Sequence, residues 1–228
     1  QTAAEPIRYA VSFPAPQTHY MEVSATVPTE RRADVELMMA VWTPGSYLVR
    51  EYARHVEALT ATDPARAALP VEKSRKNRWR VTTNTARTVW LRYRVYAHEM
   101  SVRTNWVDEE FALLNGAATF VTLVESPSRR AHEVRVILPP GWAQSFSGMA
   151  SGPGQNTYVA SDYDTLVDSP ILAGSPAVYE FQVSGRPHYL VDFRERGIWN
   201  GPQAVQDLGK AAGAAARGGA NRIGVAEV

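Results

Sequence analysis

Met21-Glu22-Val23-Ser24-Ala25-Thr26-Val27 sets apolar side chains at its odd positions and polar ones at its even positions, and Pro28 ends the run. A period of two marks a strand with one buried face and one wetted face, and proline cannot donate to a ladder. The alternation returns at Val35, Leu37, Met39 and Val41, and again at Val89, Leu91, Tyr93 and Val95. Shorter strands are predicted at 78–82, 120–124, 133–138, 157–160, 179–183 and 189–192, parted by turn clusters such as Pro139-Pro140-Gly141 and Ser151-Gly152-Pro153-Gly154. Many short strands at this spacing predict an all-β fold, a mostly antiparallel β-sandwich over 1–187. Met21, Val23, Leu37, Val41, Leu91, Tyr93, Val134 and Val136 are its predicted core. Beyond Phe193 the period changes: Asn200-Gly201-Pro202 reads as a helix start, and Val205, Leu208, Ala212 and Ala215 follow at helical spacing, predicting one helix near 202–216. Gly218-Gly219-Ala220 and the residues after them hold too few large apolar groups to offset ordering entropy, so a frayed tail is expected.

The chain has 228 residues, with 24 Lys and Arg against 23 Asp and Glu, so its net charge of +1 provides no field to attract nucleic acid. The absence of cysteine excludes disulfides, thiolate metal sites and a cysteine nucleophile, while leaving the redox compartment open. The longest apolar run, Leu37 to Trp42, is far short of the roughly 18 residues of a membrane span. A first residue of Gln rather than Met is compatible with a processed terminus and with export.

The five histidines, His19, His55, His98, His132 and His188, have no partners at metal-ligand spacing. His98-Glu99 and His132-Glu133 begin an H-E-x-x-H pattern, but Val102 and Val136 stand where its second histidine belongs. The G-x-S-x-G elbow and the phosphate-binding glycine patterns are absent. Asp162, Asp164 and Asp168 outline a calcium loop without its turn glycine or closing glutamate, so capping and Asx turns account for them better. Neither a catalytic residue nor a metal ligand is assigned on this chain.

Thr43-Pro44-Gly45-Ser46-Tyr47-Leu48-Val49-Arg50-Glu51-Tyr52-Ala53-Arg54-His55-Val56 leaves a strand through a Pro-Gly turn and then gathers aromatics and charge. Two readings fit it. In one, Tyr47 and Tyr52 cover a sheet edge while the charged residues are solvated. In the other, Tyr47, Arg50, Glu51, Tyr52 and Arg54 form a docking surface for substrate or another domain, since aromatics and arginine dominate contact energy.

The same segment resembles the N-terminal signature of the glycyl aminopeptidase family of zinc metallopeptidases, which commonly also carry a PDZ domain. The resemblance extends in order through Tyr9 to Phe13, Leu114-Asn115-Gly116, Leu138-Pro139-Pro140-Gly141-Trp142, Asp162 to Pro170, and Gly185 to Val191, about residues 6 to 210. It implies a non-catalytic β domain, periplasmic or secreted, that shapes or covers the substrate cleft of a thermolysin-like catalytic domain, with zinc only in that downstream domain. The partners it implies are the catalytic domain and, through the cleft, peptide. On this reading 188–228 is the junction and the truncated start of the catalytic domain, whether by fragmentation or by an altered reading frame, and the chain alone is not a competent peptidase. A stand-alone β-sandwich module binding peptide or protein, and a purely structural piece, are the alternatives.

Overall fold

The computed structural model describes residues 4–125, 130–193 and 200–217, and the chain divides into two compact units, 1–174 and 175–228. The tail from Gly218 lies outside the described residues.

In the first unit, β1 (Ile7–Ser12), β2 (Tyr20–Pro28), β3 (Asp34–Met38), β4 (Val56–Thr62), β5 (Ala68–Leu69), β6 (Val71–Arg75), β7 (Arg78–Thr82) and β8 (Thr88–Tyr96) come first. They are followed by β9 (Trp106–Val107), β10 (Phe111–Leu114), α1 (Gly116–Thr119), β11 (Thr122–Leu123), β12 (His132–Ile137), β13 (Gln144–Ser147), β14 (Ala150–Ser151), β15 (Thr157–Ala160), α2 (Tyr163–Val167) and β16 (Ile171–Gly174). Eight strands form one sheet in the order β14-β15-β12-β1-β2-β8-β4-β5, and two four-stranded sheets run β13-β16-β10-β9 and β11-β3-β7-β6. All pairings are antiparallel except β1 with β12, so the β-sandwich read from the alternation stands with one parallel pair in it.

The alternation of β2 and β8 works as a single device. Their register sets Val23 against Tyr93 and Ala25 against Leu91, so one face of both strands is buried, while Arg92 and Arg94 stand in water. Seven of the eight predicted core residues are buried; Val41 is only half-buried, because β3 ends at Met38 and the chain leaves the pleat before reaching it. The apolar run 120–124 is likewise not one strand: only Thr122 and Leu123 pair, with β3.

Residues 119–121 show how irregular backbone survives in the core. The hydroxyls of Tyr9, Tyr93 and Tyr163 donate to the carbonyls of Val121, Thr119 and Phe120 at 3.0, 2.9 and 3.0 Å. Three buried acceptors are thereby satisfied, each of which would otherwise carry a full desolvation penalty. Burial in turn pushes all three phenols well above their ordinary pKa, so they remain donors. Asp162 caps α2, its Oδ1 accepting from the Thr165 amide at 2.7 Å, which is the capping role predicted for it.

In the second unit, β17 (Ala177–Val183) and β18 (Arg186–Asp192) pair along their whole length. Ser184 and Gly185 both have positive φ, 49° and 75°, the conformation of a two-residue hairpin turn. That continuous pairing puts the unit boundary at 174/175, ahead of the 187/188 division read from the sequence. The helix α3 (Gly201–Arg217) begins where predicted, with Asn200 Oδ1 accepting from the Gln203 amide at 3.0 Å, and lies against β17. Gly201 permits the approach, because a Cβ there would come within 2.3 Å of the Tyr179 ring.

Candidate functional site

The conspicuous surface feature of the first unit is the loop that follows β3. Pro44 and Gly45 occupy the centre of a turn in which the Ser46 amide bonds to the Thr43 carbonyl at 3.2 Å. Gly45 has φ +71°, the left-handed conformation that such a turn requires at its third position. The Arg50 amide then returns to the Val41 carbonyl at 2.7 Å and closes the loop at its base. Between these ties, Tyr47 is fully exposed and Leu48 and Val49 are 65% and 79% exposed. Three consecutive apolar side chains in water are unlike the single exposed hydrophobes normal to a surface.

The five residues predicted to dock do not share one environment. Tyr47, Glu51 and Arg54 are exposed and Arg50 is half-buried, but Tyr52 is 4% exposed. Tyr52 opens the short 3-10 helix Tyr52–His55, and its ring points into the core while its hydroxyl donates to the Arg103 carbonyl at 2.7 Å. The expectation that both tyrosines present themselves together is therefore corrected: Tyr47 faces solvent and Tyr52 is scaffold. Glu51 pairs with Lys76 at 3.2 Å in a well-solvated bridge of little energetic weight. The Arg54 Nε–H donates to His55 Nε2 at 3.0 Å.

A cavity of about 200 Å³ is lined by Tyr52, His55, Tyr96, His98, Glu99 and Thr104, among others. His98 stacks on His19 with ring centroids 3.7 Å apart and lies 4.7 Å from Trp106. His19 Nδ1 donates to the Val107 carbonyl at 2.7 Å. Burial, followed by the neighbouring Arg54 charge, lowers the His55 pKa, and Glu99 opposes both. Burial likewise raises the Tyr52 hydroxyl; the charges of Arg50 and Arg103 pull it down and Glu99 pushes it up.

Sequence spacing separated these histidines, and strand pairing gathers three of them. Tyr20 pairs with Tyr96, so the residue before one strand and the residues after the other meet at the same sheet end. Glu99 was singled out only as part of an incomplete H-E-x-x-H pattern, and Arg103 was not anticipated at all: the only signal for it was position beyond the end of a strongly alternating strand. His132, by contrast, is buried structure, bonded through Nε2 to Thr122 at 3.1 Å. His188 stacks on Phe181 in the second unit. Among the described residues no three His, Asp or Glu side chains converge to hold a metal ion. Among the same residues, no helix is long and apolar enough to cross a membrane.

A model of the Peptidase M61 N-terminal domain matches residues 8–175. No curated protein matches the chain in sequence. Among solved structures, the aminopeptidase N family protein from Idiomarina loihiensis is similar, with a TM-score of 0.83 and 28% identity over 91% of this chain and 35% of that one. The chain thus spans about a third of that relative's length. An M1 zinc metallopeptidase mutant from Deinococcus radiodurans with a Tyr-Ser-Ala substrate also matches, at TM-score 0.47 and 10% identity over 91% of this chain and 52% of that one.

Proposed function

This chain belongs to the Peptidase M61 N-terminal domain family, and from that membership we propose that it is the non-catalytic domain that covers one side of the substrate cleft in a glycyl aminopeptidase-like zinc metallopeptidase. The catalytic domain is its partner, zinc is held there, and the protein works in the periplasm or outside the cell. The observation that carries the docking role is the tied loop presenting Tyr47, Leu48 and Val49 to solvent. Their exposure is unfavourable in isolation, and a partner surface would bury them at about 25 cal/mol per Å² of apolar area. Arg54 and Glu51 flank them as a polar rim. The chemistry then belongs to the partner, and what this unit supplies is a rigid wall: the loop is closed at its base by backbone hydrogen bonds and continues directly into the buried Tyr52 and Ala53.

The test uses two contexts. In a full-length family member bearing the same loop, replacing the residues equivalent to Tyr47, Leu48 and Val49 with Ser is expected to abolish domain association or peptidase turnover. In the present chain, the same replacements leave thermal unfolding unchanged. Normal turnover per folded full-length molecule would reject docking. Incubating this chain with zinc and a glycyl or alanyl peptide analogue should give no turnover, and chelator-sensitive hydrolysis would overturn its non-catalytic assignment.

A further inference from the structure

Where β2, β8 and β4 lie side by side, the chain holds one of its own arginines between a ring and a carboxylate. Arg94 stands over the Tyr20 ring, its guanidinium carbon 4.5 Å from the centroid, and donates to the Glu57 carboxylate at 2.9 Å through Nε and 2.6 Å through Nη2. The ring faces the flat of the cation while the carboxylate meets its N–H edge. Two residues along β8 the same pair of groups recurs without the cation. Tyr96 is the register partner of Tyr20, with ring centroids 5.2 Å apart, and is 37% exposed. Tyr96 and Glu99 line one cavity of about 200 Å³, together with Tyr52, His55 and His98. Glu99 is fixed through its backbone, its amide donating to the Asn105 carbonyl at 3.1 Å and its carbonyl accepting from Thr104 Oγ1 at 2.6 Å. Its carboxylate has no hydrogen bond or ion pair with any described residue, and no described cation stands over Tyr96. Arg54 does not fill the place, since its Nε–H donates to His55 Nε2 at 3.0 Å.

We propose that this cavity binds the arginine side chain of a peptide, its guanidinium held between the Tyr96 ring and the Glu99 carboxylate as Arg94 is held between Tyr20 and Glu57. Size agrees, because about 200 Å³ suits one extended side chain rather than a whole small-molecule ligand. The lining agrees as well: Tyr52, His55, Tyr96 and His98 present rings, and Glu99 is the one carboxylate among the lining residues. A planar, weakly hydrated guanidinium stacks on a ring while it donates in its own plane, which a lysine ammonium does not do. The positive charge of Arg54 beside His55 opposes a cationic guest, so removing it should strengthen binding. That the side chain arrives on a peptide rests on the peptidase reading above; the cation site itself does not.

The test is calorimetric or NMR titration of the full chain at low salt with acetyl-glycyl-arginyl-glycine amide, whose ends carry no charge. The same peptide with citrulline, the neutral isostere, or with lysine in place of arginine is titrated beside it. Saturable binding of the arginine peptide is expected, with the citrulline peptide weaker by about fivefold or more and the lysine peptide between them. Glu99→Gln and Tyr96→Leu should each weaken the arginine peptide about fivefold, Tyr96→Phe should keep its affinity, Arg54→Gln should raise it about twofold, and Glu72→Gln on the exposed strand β6 should change nothing. Equal binding of the arginine and citrulline peptides, undiminished binding by folded Glu99→Gln or Tyr96→Leu, or no saturation by about 10 mM peptide would overturn the proposal. Lysine binding as tightly as arginine would overturn the guanidinium assignment, and free guanidinium ion binding as tightly as the peptide would overturn the peptide assignment. Because this titration needs no catalytic domain, its failure beside a successful loop experiment in a full-length relative rejects the arginine pocket alone, and the converse result rejects the docking role alone.

Discussion

Two segments of the first unit, Leu114-Asn115-Gly116 and the loop at 43–50, have opposite physical characters. At the first, every polar group of Asn115 is used. Asn115 Oδ1 accepts from the Ala117 amide at 3.2 Å, its own amide donates to Asn105 Oδ1 at 2.7 Å, and Thr119 Oγ1 bonds to the Asn115 carbonyl at 2.8 Å. All of these residues are buried. At the loop, backbone ties hold the base while the apolar tip and the arginine charge are left without complement. A motif can recur because a core will not close without it or because a surface is used, and bond-by-bond accounting separates the two cases where spacing does not.

The largest expected effect breaks the buried corner. Tyr93→Ala removes a fully packed ring, leaves the Thr119 carbonyl without its donor and the Val121 amide without the hydroxyl it reaches at 3.1 Å, and should cost about 3–5 kcal/mol in urea unfolding. Tyr93→Phe keeps the ring and should cost about 1–3 kcal/mol. A loss below that range for Phe would mean that water replaces the hydroxyl and that the corner is less closed than its contacts imply.

His132 gives the next largest effect and a pH signature. Burial, with help from the Arg130 charge and against that of Asp162, pushes its pKa down to about 4 from an ordinary 6.5. The unfolded chain therefore binds a proton on falling through pH 6.5 that the folded chain refuses until about 4. Stability from this residue is complete above 6.5 and declines as pH drops through that window, by about 3 kcal/mol in all. Urea midpoints between pH 7.5 and 4 should follow this course, and His132→Gln should flatten it. A wild-type slope unchanged by the substitution would place the acid sensitivity elsewhere.

A matched pair of glycine substitutions sharpens the contrast between the segments. At Gly116 a Cβ would lie 2.3 Å from the Leu166 carbonyl oxygen and 2.9 Å from Val167 Cα, both backbone atoms that cannot step aside. Gly116→Ala should cost about 2–3 kcal/mol. At Gly45 a Cβ meets nothing within 4 Å, and only its positive φ opposes a side chain. Gly45→Ala should cost about 1 kcal/mol. Equal losses would erase the distinction between a packed corner and an open turn.

These differences also mark how far the sequence could be read. Strands β2, β7, β8, β12 and β15 were legible because one face of each packs and the other is wet, so burial is written as period two. Strand β10 was not, since all four of its residues are buried and no alternation survives. In β4 the register shifts between Glu57 and Thr60, where Ala58 takes φ 51°, and that irregularity breaks the period. The site loop was legible as chemistry but not as geometry. Tyr47 and Tyr52 differ in nothing local, and only the pull of the core on the 3-10 helix buries one and leaves the other in water. Arg103 became visible only when the fold brought its turn against Tyr52.

The smallest expected effect is therefore the most discriminating for the loop. Tyr47→Ala in this chain should alter the unfolding free energy by less than about 0.5 kcal/mol, because a ring already in water loses no buried area. Arg50→Ala should be neutral or slightly stabilising, since it removes a half-buried charge that no described acid compensates and keeps the backbone bond to Val41. Scaffold residues behave otherwise: truncating the buried Tyr52 should cost about 3–5 kcal/mol in the same assay. If Tyr47→Ala or Arg50→Ala destabilised the chain by more than about 1 kcal/mol, the loop would be packing on its own unit in solution. Its exposed face would then have no claim on a partner, and the contrast with the Asn115 corner would reduce to two styles of scaffold.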